Sequence, residues 1–266
     1  MLDMEGICRD LQAEQEDLDR LLMGLSAAAW ERETPAAGWT IRDQVSHLGT
    51  SDRVATIAAA DPARFTAEIL TQDRRDRMAQ QLATGRSMPG IALLAWWRSG
   101  RHAMIEVFRT LGPRARIPWF GPAMSAVSFA TARLMETWAH GQDIVDALGL
   151  HRPATERLQH VAHIGVRARP FSYSARGQTP PSEDVRVELC SPAGTLWTWG
   201  DAAATNKITG EALDFCLVVT QRRHVADTRL CMTGRLAQEW MHIAQAFAGP
   251  PGPGRQPGQF PPVSER

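Results

Sequence analysis

A chain of 266 residues, 44% hydrophobic and 22% charged, has the composition of an ordinary globular protein, long enough for one large domain or two modest ones. Its 29 basic and 29 acidic residues cancel to zero formal net charge, so nothing points to nucleic acid or an anionic membrane as partner; small molecules fit better. The four cysteines, Cys8, Cys190, Cys216 and Cys231, form no C-x-x-C pair, which argues against a thiolate zinc site or a disulfide framework and for a reducing cytoplasm.

No basic region followed by an apolar run opens the chain, and no segment approaches the length of a membrane span. A soluble, non-exported protein is expected, as a monomer or small homo-oligomer. The first predicted helix is Ile7 to Leu25, where Ile7, Leu11, Leu18, Leu21, Leu22 and Leu25 form an amphipathic stripe. Pro35 to Thr40 reads as a turn. Thr40 with Asp43 three residues on resembles a capping box, starting a second helix that carries His47. Ile91 to Leu111 repeats apolar residues every three or four positions until Gly112-Pro113 ends the pattern. Met124 to Leu148 is the fourth helix, closed by Gly149 as a left-handed cap.

Four long helices before residue 150 predict a four-helix bundle, whose core is a usual place for metal ligands from facing helices. Beyond it the texture changes. A helix-like piece, Ala154 to Arg167, precedes a turn-rich stretch, Ser172 to Asp184. Val185 to Cys190 alternates as a strand with Thr195 to Trp199 as hairpin partner. Helices are predicted over Gly210 to Val219 and Arg235 to Phe247, with a short strand between them at Thr228 to Met232. The fold class is therefore α+β: a bundle at 1–150, a smaller α+β domain at 151–248, and a Pro/Gly-rich tail at 249–266, expected to be irregular or mobile.

Glu136 and His140 are four apart and share a helix face. His47, on another helix, could complete a facial set of two histidines and one carboxylate, which suits Zn²⁺ or another divalent transition metal and leaves positions open for water or substrate. The blander alternative for Glu136 and His140 is an i,i+4 ion pair on a solvated face. Met135, Trp138 and Ala139 around them argue for partial burial, where an unpartnered carboxylate is costly.

Other residues divide between chemistry and structure. Asp43, one turn before His47, could orient the imidazole or be reached by substrate, or simply cap its helix. Asp52 is rotated away from the His47 face. Arg98 and Arg101 could hold a carboxylate in a fork, or face solvent. His160 and His163 have ligand spacing but no third partner. No cysteine sits in a nucleophile motif, and no dinucleotide, P-loop or serine-hydrolase signature is present.

The Gly38-Trp39-Thr40, Asp43 and His47-Leu48 block, the Glu136/His140 pair and the α+β appendage together resemble the mycothiol-dependent maleylpyruvate isomerase family, part of the wider DinB-like group of metal-binding bundles. The run Asp214 to His224 looks most like an actinobacterial metal-binding branch of that group. The resemblance implies metal ligands at His47, Glu136 and His140, agreeing with the spacing argument. It also implies mycothiol as thiol cosubstrate and an arginine from the C-terminal domain at the active site, for which Arg222 and Arg223 are the nearest matches.

Metal coordination of the thiol sulfur would lower its pKa and supply a thiolate nucleophile. Addition to an electrophilic, carboxylate-bearing metabolite would make the protein an S-transferase; addition followed by elimination, an isomerase. The first is favoured, since the chain departs from maleylpyruvate isomerase over most of its length. Two alternatives are a metal-dependent hydrolase using bound water and a non-catalytic metal-binding or sensor protein.

Overall fold

In a computed structural model describing residues 3–260, the chain divides into one compact unit ending at Arg152 and a second beginning at Pro153. The first unit contains α1 (Met4–Met23), the short α2 (Ala27–Trp30), α3 (Ile41–Ala60) and the single turn α4 (Pro62–Arg64). A π turn (Phe65–Ile69), α5 (Arg74–Arg86) and α6 (Gly90–Arg109) follow, then a minimal hairpin of β1 (Arg116–Ile117) and β2 (Met124–Ser125) leading into α7 (Ala126–Leu148).

The long helices α1, α3, α6 and α7 are the predicted bundle. Each packs against two others: α1 against α6 and α7, and α3 against the same pair. Leu18 and Leu22 of α1, Val45 and Leu48 of α3, Trp97 of α6 and Ile144 of α7 meet in one buried cluster, and removing that apolar area from water is the main stabilising term. The ends are set locally. Thr40 and Asp43 form the expected capping box, and Gly149, with φ of 66°, closes α7 in the left-handed region.

Polar clamps cross the bundle inside this apolar frame. Asp52, fully buried, accepts from Arg133 Nη2 at 2.9 Å and from Trp97 Nε1 at 3.0 Å, joining α3 to α7 and α6. Asp19 of α1 takes both Arg98 and Arg101 of α6. A fifth helix, α5, was not expected. It lies against α3, where Gly85 leaves no room for a side chain: a Cβ there would fall 2.5 Å from Ser46 Cβ.

The second unit holds α8 (Leu158–Arg167), α9 (Arg169–Ser174), β3 (Val185–Cys190), β4 (Leu196–Trp199), β5 (Asn206–Glu211), α10 (Ala212–Val219), a 3-10 turn (Val225–Asp227), β6 (Cys231–Thr233) and α11 (Arg235–Ile243). Its sheet runs β4-β3-β5-β6, with β3 and β5 parallel and the other pairs antiparallel. Val185, Val187 and Leu189 point inward from β3 and alternate with half-buried neighbours. Lys207, the only lysine, reaches across from β5 to Glu188 at 3.1 Å.

The hairpin is where the sequence predicts it; the last helix starts at Arg235 as expected but ends at Ile243, short of Phe247, and the strand before it spans Cys231–Thr233 in place of Thr228 to Met232. Other details also differ. Strand β5 claims Gly210, so the helix expected from that residue starts at Ala212. Helix α9 intrudes on the stretch expected to be turns. The tail is irregular to Phe260, yet anchored, because the Asp227 carboxylate accepts from the backbone N–H of Gly258 at 2.7 Å and of Phe260 at 3.2 Å; residues 261–266 lie outside the described chain.

Candidate metal centre

His47 sits near the middle of α3, and Glu136 and His140 lie one turn apart on α7. Packing of these helices places one ligand atom from each residue within 4.8 Å of the others, the only such group of three metal-capable side chains found among the described residues. Glu136 Oε2 is 3.2 Å from His140 Nε2 and 3.7 Å from His47 Nε2. Bonds of about 2.1 Å at tetrahedral angles put ligand atoms about 3.4 Å apart. The observed pair brackets that value, and the longer contact is too long for a hydrogen bond. The donor set thus fits a divalent metal better than a purely hydrogen-bonded cluster.

The three side chains are 12–21% exposed, sheltered but reachable. Burial acts to raise the Glu136 pKa, but hydrogen bonds and charge from His140 and His47, present when the ring nitrogens facing it carry a proton, more than offset this and hold the carboxyl well below its usual range. It is a carboxylate at neutral pH. The imidazole centroids are 4.4 Å apart, and Trp39, just ahead of the α3 cap, stacks on His140 at 6.0 Å and tilts toward His47 at 5.4 Å. Its indole walls one side of the site.

Each histidine has an amide behind it. His140 Nδ1 meets Gln44 Oε1 at 2.5 Å, and His47 Nδ1 meets the amide of Gln81 on α5. Gln44 and Gln81 have no place in the sequence motifs, and Trp39 enters them only as part of the block around His47. Gln44 carried a signal, lying one turn before His47 on the same helix; Gln81 carried none, because its helix was not foreseen.

Within the first unit, the other candidate residues have partners of their own. Asp43 caps α3 and pairs with Arg86, while the position behind the His47 ring belongs to Gln81. Arg98 and Arg101 do hold a carboxylate, but it is Asp19 of the same chain, and Arg101 also lies 4.5 Å from the Trp97 ring centre. Asp52 belongs to the Arg133 clamp. Among the thiols, burial pushes Cys8 up to about 11 and Cys216 well above the ordinary range, which removes both as thiolates.

Arg222 and Arg223 follow α10 in the second unit, donating to the carbonyls of Thr220 at 2.8 Å and Arg222 at 2.7 Å. Gln221 before them holds a left-handed φ of 59°. Arg223 also lies over the Phe260 ring and lines a small pocket with Arg176, His224, His242 and Arg255. His160 is buried, and His163 accepts from Trp199 Nε1 at 3.3 Å.

Fold and site together define a class: an α+β protein whose N-terminal helical unit carries a cluster of two histidines and a carboxylate able to hold a metal. The family description "Mycothiol maleylpyruvate isomerase N-terminal domain" matches residues 11–145, and the chain belongs to that family. It is 46% identical over 261 residues to uncharacterized proteins from two strains of Mycobacterium tuberculosis, covering 96% of this chain and 100% of theirs. Among solved structures it resembles the mycothiol-dependent maleylpyruvate isomerase, with TM-score 0.58 at 16% identity, and a single-site mutant of that enzyme, with TM-score 0.60 at 14% identity. Each alignment covers 84% of this chain and 90% of the other; at such identity the likeness is one of fold. Among the described residues no helix is long and apolar enough to cross a membrane.

Proposed function

We propose that this protein is a metal- and mycothiol-dependent S-transferase or isomerase acting on a small, electrophilic, carboxylate-bearing metabolite. The reading is carried by the spacing of His47, Glu136 and His140, which suits a divalent metal such as Zn²⁺, and is supported by membership of a family named for a mycothiol-dependent enzyme. A divalent metal there would act as a Lewis acid, lowering the pKa of a coordinated thiol toward neutrality.

The chain supplies the remaining conditions. Imidazoles that ligate a metal are neutral and Glu136 would supply one negative charge, so a divalent cation would leave the cluster with net positive charge that favours an anionic sulfur. Cys8 and Cys216 are buried and held as thiols, which suits a reaction whose thiol arrives as cosubstrate. The Trp39 indole gives an incoming molecule an apolar wall. Arg222 and Arg223 are the sequence matches to the arginine that the family resemblance implies at the active site, where a guanidinium would hold a substrate carboxylate and stabilise developing enolate charge.

The test is elemental analysis of purified wild-type and His140→Ala protein, then calorimetric titration of each with mycothiol. The proposal expects near-stoichiometric metal in the wild type, its loss in the variant, and thiol binding by the wild type alone. Metal with no thiol binding would favour hydrolysis by bound water or a non-catalytic metal-binding role; a metal-free wild type would remove the site from the argument.

A further inference from the structure

We propose that a buried hydrogen-bond relay, running from the Trp39 carbonyl through Thr34 and Gln44 to His140, fixes the proton of that histidine on Nδ1 and presents a bare Nε2 to the site. Thr34 and Gln44 are then positioning residues. The inference rests on the metal-site reading only for the identity of the ligand at Nε2; the position of the proton stands apart from it.

The polarity follows from one oxygen–oxygen contact. Thr34 Oγ1 lies 2.8 Å from the Trp39 carbonyl oxygen, a distance at which a proton must lie between them. A carbonyl has none to give, so the hydroxyl donates its only hydrogen there. Thr34 Oγ1 can then act toward Gln44 only as an acceptor. The Gln44 group 2.8 Å from it is therefore the amide NH₂, which aims Oε1 at His140 Nδ1, 2.5 Å away. An amide oxygen only accepts, so Nδ1 carries the hydrogen. Turning the Gln44 amide over would strip the proton from the Thr34–Trp39 contact and leave two oxygens facing each other.

The anchor is rigid. Thr34 N–H also donates to the Trp39 carbonyl at 2.8 Å, and Ile41 N–H to the Arg32 carbonyl at 3.0 Å, tying the loop ahead of α3 back on itself. Gln44 is fully buried and Thr34 nearly so, so water does not compete for these bonds. The segment that caps α3 therefore also sets the polarity of the chain of bonds behind His140.

With Nδ1 protonated, neutral His140 turns a lone pair toward Glu136 Oε2 at 3.2 Å. Two acceptors facing each other repel until a cation lies between them, and a divalent metal meets both at once. His47 differs. Its amide neighbour Gln81 has no described residue bonded to Oε1, so that amide can turn to suit the ring. One ligand is thus fixed by the fold and the other adjusts.

Nitrogen-15 NMR of histidine-labelled, metal-free protein, at a pH where histidines are neutral and with His140 assigned by its loss in His140→Ala, tests the relay directly. The wild type should show the Nδ1–H tautomer at His140; an Nε2–H tautomer there overturns the proposal whatever any variant does. Thr34→Val, which keeps the shape and removes the hydroxyl, should shift His140 toward Nε2–H. It should also weaken zinc binding about 10–100-fold in a chelator-competition titration, with Thr34→Ser restoring both. An unchanged tautomer and zinc affinity in a folded Thr34→Val protein would also overturn it. A wild type that takes no zinc would defeat the metal-site reading alone, since the tautomer is read without metal.

Discussion

Asp43 and Arg86 grip each other across the contact of α3 with α5 in a two-pronged ion pair, Nε to Oδ1 at 3.0 Å and Nη2 to Oδ2 at 2.9 Å. The same carboxylate accepts the Thr40 N–H at 3.0 Å, so one side chain starts the helix carrying His47 and fastens the helix carrying Gln81. Because Arg86 is 55% exposed, the charge pair itself contributes little. Most of the value of Asp43 lies in the cap. Asp43→Ala is expected to lower stability by about 1–2 kcal/mol in urea unfolding, and a change within about 0.3 kcal/mol would contradict this account.

Acid should loosen the first unit through the same chemistry. For Asp19 and Asp43 burial acts to raise the pKa, but arginine partners and hydrogen bonds outweigh it, and both end below their ordinary value. A depressed folded-state pKa means that the stabilisation is fully present above the unfolded-chain value, about 3.9, and is lost as pH falls through the folded-state value. Thermal melts should therefore hold level down to about pH 5 and fall below about pH 4. Asp19→Asn should flatten that acid limb, and an equally steep decline in the variant would assign it to other groups.

Asp52 and Arg133 form the most deeply buried clamp, each almost wholly shielded from solvent. Arg133→Met strands the Asp52 charge in the interior and is expected to cost about 3–5 kcal/mol. The double variant Asp52→Leu/Arg133→Met should recover part of the loss while leaving Trp97 Nε1 without its acceptor, at about 1–3 kcal/mol. A double variant no more stable than the single one, in matched denaturant titrations, would show that the stranded charge is not the cause.

Gly85 controls how closely α5 approaches α3. Gly85→Ala drives a methyl into Ser46, 2.5 Å from its Cβ, with an expected cost of about 1–3 kcal/mol. Ser46 also donates to the Gln81 carbonyl, so the clash displaces the residue behind His47. Adding Ser46→Gly should relieve most of the strain; no recovery in the pair would mean that α5 is not limited at this contact.

Much of this was legible from local signals. The stripe of α1, the Thr40/Asp43 box and the Gly149 cap each rest on a few neighbouring residues, and each is present. The i,i+4 spacing of Glu136 and His140 was legible because the two needed only a helix to share a face. What was hidden depends on distant partners. Helix α5, Arg-Arg-Asp-Arg-Met-Ala-Gln-Gln-Leu-Ala-Thr-Gly-Arg, buries only Gln81 and Gly85 and so shows no apolar stripe. Strand β5, Asn-Lys-Ile-Thr-Gly-Glu, is set by parallel pairing with β3, which no local pattern announces. The partner of Arg101 was hidden for the same reason, since Asp19 lies on another helix.

The placement of His47 on α3 and of Glu136 and His140 on α7 also bears on how the protein is made. As the chain leaves the ribosome, the first half of the bundle offers a single imidazole, and the carboxylate and second imidazole arrive together on the last long helix of that unit. The proposed metal centre is therefore complete only after α7 has docked, so metal uptake would report the folding of the first unit.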